Sequence, residues 1–300
     1  MIQIEGVSQE FRAGFWMKKV QVLQNIHLTI PDRSVFGLLG ANGAGKTTLM
    51  LLMIGMRTPT RGRVKIGGDA ALSAQAKSRI GYLPERPYFH AHLTGRQFLK
   101  FVGELSGLPS KTLESRICQV LDRVGLKHAH SMELRRFSKG MLQRIGIAQA
   151  ILHDPEILIL DEPMSGLDPV GRKEIRELIS ELARDGRTVI FSSHVIPDVE
   201  ALCTEFALLK KGRLTASGRV QEFLKQELLE QVIEFSGEQN VQQLESLGRL
   251  ERIPEGWKLA VPPTTELGDV LQRLLSQHAT IHSVQPMRRS LEDVLFEVTT

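Results

Sequence analysis

Apolar residues in the first part of the chain recur at alternate positions. "IQIEGV" (2–7), "VQVLQNIHLTI" (20–30), "SVFGLLG" (34–40) and "GRVKIGG" (62–68) read as short strands, interrupted by one helix that begins just after Gly45. From about Thr94 to Leu152 the period changes. "GRQFLKFVGELSGL" (95–108) and "LESRICQVLDRVGL" (113–126) carry apolar residues at three- and four-residue steps, the pattern of amphipathic helices.

"EILIL" (156–160) is a continuous apolar run between Pro155 and Pro163, which predicts a strand buried on both faces and ending at Asp161. Asp168-Pro169 then predicts a helix start, an N-cap followed by proline in the first turn. Ile175, Leu178, Ile179 and Leu182 form the buried stripe of that helix, and Gly186 ends it. "TVIFSS" (188–193) is a second buried strand, delivering His194 at its carboxyl end. Strand, helix, strand with polar residues at the strand ends predicts an α/β sheet with a site along one edge.

After about Leu229 the texture changes. "QVIEFSG", "GRLERIP", "GWKLAVP" and "ATIHSVQP" read as strands, with helical "QQLESLG" and "LGDVLQRLLSQH" between them and a helical "SLEDVLFEV" at the end. The expectation is a main domain over 1–229, with a helical part at about 86–154, and a small α+β domain over 230–300.

Composition alters this picture little. Hydrophobic residues make up 42% and charged residues 24% of 300, an ordinary globular balance. The formal charge of +4 comes from scattered basic residues, so nucleic acid is not expected as a partner. Cys118 and Cys203 stand far apart, which fits a reducing compartment and no disulfide framework. The pairs His90/His92 and His128/His130 lack nearby cysteine or carboxylate and read as surface histidines. The first residues show no basic-then-apolar leader pattern. "LMLLMIGM" (49–56), the longest apolar run, is far short of the roughly 20 residues that span a bilayer.

Two segments carry phosphate chemistry. "GANGAGKTT" (40–48) matches G-x-x-x-x-G-K-[ST], follows a predicted strand and opens a predicted helix. In such a loop the backbone N–H groups wrap a phosphate and the helix N-terminus favours the anion. Gly40, Asn42, Gly43, Ala44, Gly45, Lys46, Thr47 and Thr48 are the candidate ATP-binding residues, with Lys46 on the β- and γ-phosphates and Thr47 on Mg²⁺. "LILDEP" (158–163) ends a buried strand in two carboxylates. Asp161 is the candidate metal ligand, and Glu162 the candidate general base that polarises water.

With "FSKGMLQR" (137–144), "LILDEPMSGLD" (158–168) and "SSH" (192–194), these motifs stand in the order seen in the ATP-binding-cassette (ABC) ATPases, which the chain resembles over about 1–222. Within that family it is most similar to the ATPase subunits of ABC-2-type exporters, which share "SKGM", "GYLPE" (81–85) and an "LEDVF"-like segment, here "LEDVLFEVT" (291–299). The resemblance implies a P-loop cassette with a RecA-like core, an antiparallel β subdomain and a helical subdomain. It implies an ATPase that uses ATP and Mg²⁺ and pairs with a second copy of the cassette. It also implies a separate transmembrane permease, with the chain at the cytoplasmic face of the membrane.

Residue roles follow from the same resemblance. Phe11 resembles the aromatic that stacks on adenine, with Phe15 as the alternative for that role and a core position as the alternative for Phe11. Glu85 stands where many members have glutamine, in the loop that senses metal and membrane partner. Ser138, Lys139, Gly140 and Met141 resemble the signature that meets the opposite subunit's nucleotide, with Lys139 and Met141 replacing glycine and glutamine. Ser165, Gly166, Leu167 and Asp168 resemble the loop that crosses to that subunit. His194 resembles the switch histidine at the γ-phosphate and joins Lys46 and Glu162 as a catalytic candidate. The exposed stretch Tyr88–Phe101 is the expected docking surface for the permease, a packed helical subdomain being the plainer reading.

A soluble ABC ATPase working on ribosomes or nucleic acid is the alternative function. Single P-loop content and the lack of a long heptad run count against it. A guanine-specific P-loop protein is excluded, because Asn25, Asn42 and Asn240 lie in no N-K-x-D motif.

Overall fold

The computed structural model describes residues 1–13, 18–224, 228–237, 244 and 246–288. The chain divides into two compact units, Met1–Val220 and Gln221–Thr300.

The first unit begins with β1 (Ile2–Ala13) and β2 (Lys18–Ile30), a long antiparallel pair. With β4 (Arg61–Ile66) and β5 (Asp69–Ala70) they form a four-stranded sheet in the order β2-β1-β4-β5. Register shifts between Ile4 and Val7 keep Ile2, Ile4 and Val7 all turned into the core.

The second sheet carries the site. Its strands are β3 (Val35–Leu39), β6 (Ile80–Leu83), β7 (Ile157–Leu160), β8 (Thr188–Ser193), β9 (Glu205–Lys210) and β10 (Arg213–Arg219). They run in the order β10-β9-β3-β8-β7-β6, parallel except for the β9-β10 hairpin. Every residue of β3, β7 and β8 is buried, so these strands read as unbroken apolar runs.

α1 (Lys46–Met53) packs Leu49, Met50, Leu52 and Met53 into the core shared by the two sheets, together with Ile26, Phe36, Ile159 and Ile190. Full burial of each such side chain contributes about 1.5–3 kcal/mol. α2 (Ala74–Ser78) is a single turn capped by Ser73. Three longer helices follow: α3 (Gly95–Leu105), entered through a Thr94–Gln97 capping box, α4 (Ser110–Arg123) and α5 (Lys139–Ile151). Of the expected docking stretch, only the part from Gly95 onward is helical; Tyr88–Leu93 lead into it as loop.

Asp168 caps α6 (Pro169–Arg184) by accepting from the Gly171 amide at 3.0 Å. Ile175, Leu178, Ile179 and Leu182 are its buried stripe, as the spacing predicts. α7 (Ile196–Leu202) follows β8, and α8 (Val220–Leu224) closes the series. The strands β9 and β10, and α7 between β8 and β9, are elements that the sequence reading does not pick out.

In the second unit β11 (Leu228–Ser236), β12 (Arg249–Ile253), β13 (Gly256–Val261) and β14 (Thr280–Arg288) form an antiparallel sheet ordered β12-β13-β11-β14. α9 (Leu267–Ser276) places Val270 and Leu274 on the core of Ile233, Phe235, Leu259 and Val261. Of the helix expected at "QQLESLG", Leu244 is helical and 246–248 turn into β12. The terminal "SLEDVLFEV" expectation lies outside the described residues.

Candidate functional site

Parallel register assembles the site. Leu39 pairs with Ser193, Leu38 with Ser192, Leu160 with Phe191 and Leu83 with Leu160. The residues just past these strand ends are therefore neighbours: Gly40, Asp161, His194 and the loop holding Glu85. β8 lies between β3 and β7, so His194 comes up between the P-loop and the paired carboxylates.

Gly45 enters α1 with φ +109, and a Cβ there would stand 2.8 Å from Leu23 Cδ2; glycine is required on both counts. The first N–H groups of α1 have no partner within the helix, so they are available to an anion. A cavity of about 480 Å³ opens over them, lined by Val22, Ala41–Gly43, Gly45–Thr48, Glu85 and Glu162.

Lys46 is buried and its Nζ donates to the Gly40 carbonyl at 2.6 Å. The same ammonium lies 3.2 Å from Glu162 Oε1, an ion pair without hydrogen-bond alignment. The other oxygen of Glu162 meets His194 Nδ1 at 3.0 Å. Glu162 itself sits at φ +48, an uncommon conformation for a side-chain-bearing residue.

Asp161 is fully buried. Its Oδ1 accepts from the Ser192 hydroxyl at 2.6 Å, while Oδ2 has no partner. Ser192 Oγ in turn accepts from the Glu162 amide at 2.8 Å. Ser192 was not among the sequence candidates. Tyr82, on β6, is pushed up to about 12 by burial, and then by the carboxylates of Asp161 and Glu85.

Phe11 does not line the cavity. It pairs with Val20 across β1-β2, and Arg57 lies over its ring, 4.9 Å from the centroid. The lining side chain from that sheet is Val22, whose sequence signal, one β-branched residue among several in β2, is not distinctive. Phe15 lies outside the described residues.

Ser138 is the N-cap of α5, accepting from the Met141 amide at 3.3 Å. None of Ser138–Met141 lines the cavity over the P-loop. Lys139 instead reaches Gly166 (φ +66), its Nζ occupying the place a Cβ would take, and Leu167 Cδ2 lies beside Gly140. A smaller cavity of about 80 Å³ joins Glu162 and His194 to Ser165, Gly166, Arg172 and Asp198. Tyr88 is 84% exposed, and with His90 and Phe101 forms a chain of edge-to-face rings at 5.7 and 5.5 Å. His92, His128 and His130 are exposed, and both cysteines are free.

A parallel sheet that ends in a glycine loop, a buried lysine and two adjacent carboxylates defines a P-loop ATPase. The ABC transporter family model matches residues 23–165. An uncharacterized ABC transporter ATP-binding protein of Synechocystis is 39% identical over 98% of this chain and 83% of its own length. The bacitracin transport ATP-binding protein BcrA of Enterococcus faecalis is 39% identical over 75% of this chain and 71% of its own. Among solved structures, an ATP-binding subunit of an ABC transporter matches with a TM-score of 0.65 at 28% identity, covering 75% of this chain and 92% of that one. A dimeric cassette in a post-hydrolysis state with ADP and Pi matches in fold, with a TM-score of 0.67 at 22% identity over 73% and 99%. The chain belongs to the ATP-binding proteins of ABC transporters, and it is an ATP-hydrolysing subunit.

Proposed function

We propose that this ATPase works as one of a pair of cassettes that close on ATP, reopen on hydrolysis and so drive a separate multi-span permease for export. The observation that carries the pairing is the lining of the cavity. One helix start, α1, serves the nucleotide of this subunit, while the second, α5 with Ser138 and Gly140, stands outside that cavity and needs a nucleotide from another copy. The solved dimer among the fold relatives supports the same arrangement.

Within the site, Lys46 meets the β- and γ-phosphates and the amides of Gly43, Gly45, Lys46 and Thr47 cradle them. Glu162 takes the proton from the attacking water, and His194 holds its second oxygen. The residues fit a hard, oxygen-seeking cation. Asp161 Oδ2 is a buried carboxylate oxygen with no protein partner, and the Thr47 hydroxyl lines the cavity. Asp161 and Thr47 would hold Mg²⁺, with Glu85 a further carboxylate lining the cavity, and the ion would neutralise charge on the phosphates.

The exposed rings of Tyr88 and Phe101, joined through the half-buried His90, support a permease-docking face. Among the described residues no helix is long and apolar enough to cross a membrane, so the permease is assigned to another chain and this one to the cytoplasmic face. "SKGM" and "GYLPE", with the bacitracin transport relatives, support outward transport.

The test is purification of the chain from detergent-solubilised membranes, with Glu162→Gln and ATP holding the pair closed. A complex of two cassettes with a multi-span membrane protein is expected. Recovery with ribosomes, and none with membrane protein, would overturn the reading.

A further inference from the structure

The Ser192 hydroxyl is fully buried at the carboxyl end of β8 and touches both carboxylate residues of the site at once. It donates its one proton to Asp161 Oδ1 at 2.6 Å. Its oxygen accepts the Glu162 N–H at 2.8 Å. These two bonds have separate effects. The first fixes the rotation of the Asp161 carboxylate and satisfies one oxygen, so that only Oδ2 remains without a partner. The second satisfies the amide of a residue held at φ +48, a conformation that costs on the order of 1 kcal/mol unless its surroundings specify it. That backbone turn aims the Glu162 side chain between Lys46 and His194.

We infer that Ser192 is a positioning residue for hydrolysis: one hydroxyl orients the metal-facing oxygen of Asp161 and the general base Glu162 together. The inference rests on the ATPase reading of the site. Ser192 touches neither the P-loop cavity nor the nucleotide-cradling amides, so ATP binding without metal depends on it only through the Glu162–Lys46 pair. Metal activation and turnover depend on it directly. Glu162 loses its aim when its amide loses a partner, and Asp161 becomes free to rotate.

The experiment compares Ser192→Ala, Ser192→Cys and the unaltered chain. Cysteine nearly preserves volume but bonds weakly, which separates the hydrogen bonds from packing. Three quantities are read: ATP affinity in EDTA, the Mg²⁺ concentration for half-maximal activity, and kcat. For both variants ATP affinity in EDTA is not weakened, and is at most about thirtyfold tighter as Glu162 releases Lys46, while the Mg²⁺ requirement rises and kcat falls by about 10- to 100-fold, the usual range for a group orienting a metal ligand. Melting temperature is followed to confirm that both variants fold. Two results would overturn the inference: Ser192→Ala with unaltered Mg²⁺ dependence and kcat, or Ser192→Cys matching the unaltered chain while Ser192→Ala is impaired. Failure of the ATPase reading has a different signature, full turnover in Lys46→Ala.

Discussion

Glu162→Gln should strengthen ATP binding while it weakens hydrolysis. Lys46 is buried, and among the described residues its charged partner is Glu162 Oε1 at 3.2 Å, beside the carbonyls of Gly40 and Ala41. A triphosphate in the P-loop competes with Glu162 for that ammonium. Two unit charges at 3.2 Å attract by about 5 kcal/mol at an effective dielectric constant of about 20. Much of that gross value offsets the desolvation of the two groups, and the carbonyl partners survive the substitution. A net difference of about 1–2 kcal/mol reaches ATP, which is about a five- to thirtyfold lower Kd. Glutamine also removes a negative charge from the cavity that receives the phosphates. Turnover falls about 10²- to 10⁴-fold in the same variant, the range for a lost general base. Titration calorimetry with ATP in EDTA measures the first effect, and phosphate release the second. An unchanged or weaker ATP affinity would refute the competition argument, and turnover at the unaltered rate would refute the assignment of the base.

Lys46→Ala should abolish ATP-dependent phosphate release, read as turnover, and lower the melting temperature, because the buried Gly40 carbonyl and Glu162 Oε1 lose their partner. Arg187→Ala should destabilise the fold. Arg187 donates to Asp154 at 2.6 Å, to Asp185 at 2.8 Å and to the Pro155 carbonyl at 3.2 Å. Both carboxylates are more than a third exposed, so the loss is about 1–2 kcal/mol rather than that of a buried pair, read by urea unfolding. The same network has a pH signature. Burial alone would raise the Asp154 carboxyl, but Arg187 and Arg116 together outweigh it and hold it below its ordinary 3.8. Asp185 is likewise raised by burial but brought below its ordinary value by Arg123 and Arg187. Their contribution to stability is therefore complete above about pH 4 and lost as pH falls through the depressed folded values. Arg187→Ala should flatten that acid slope.

Motifs that are contiguous in sequence were legible because their chemistry is local. The P-loop needs its glycines within nine residues, and Asp161 and Glu162 follow a buried run whose apolar letters announce a strand. Ser192 was illegible for the opposite reason. In "TVIFSS" a serine in a strand carries no signal, and its role exists only because β8 lies beside β7 with Leu160 opposite Phe191. Val22 is hidden in the same way, one of several β-branched residues in β2, whereas Phe11 attracts notice as an aromatic and is engaged by Arg57. The β9-β10 hairpin turns through two residues, Lys211 at φ +48 and Gly212 at φ +77, the geometry of a type I′ turn. Asparagine or aspartate before the glycine would have marked it; lysine does not.

The groups proposed to face phosphate are all engaged within this chain. Lys46 holds two carbonyls and Glu162, Glu162 holds His194, and Ser138 caps its own helix. Lys46 and Glu162 must exchange a partner rather than simply gain one when nucleotide arrives, so the net stabilisation per contact is small compared with the gross value. Ser138 is the least costly to recruit: its oxygen accepts from Met141 while its proton stays free to donate toward an anion. Lys139 is tied differently, lying over Gly166 of the loop that follows the carboxylates. The signature helix and the Glu162 loop are thereby in contact within one subunit. Under the proposed pairing, a lysine in place of the family's glycine at 139 would link the face proposed to meet a second nucleotide to the segment proposed to carry the base for the first.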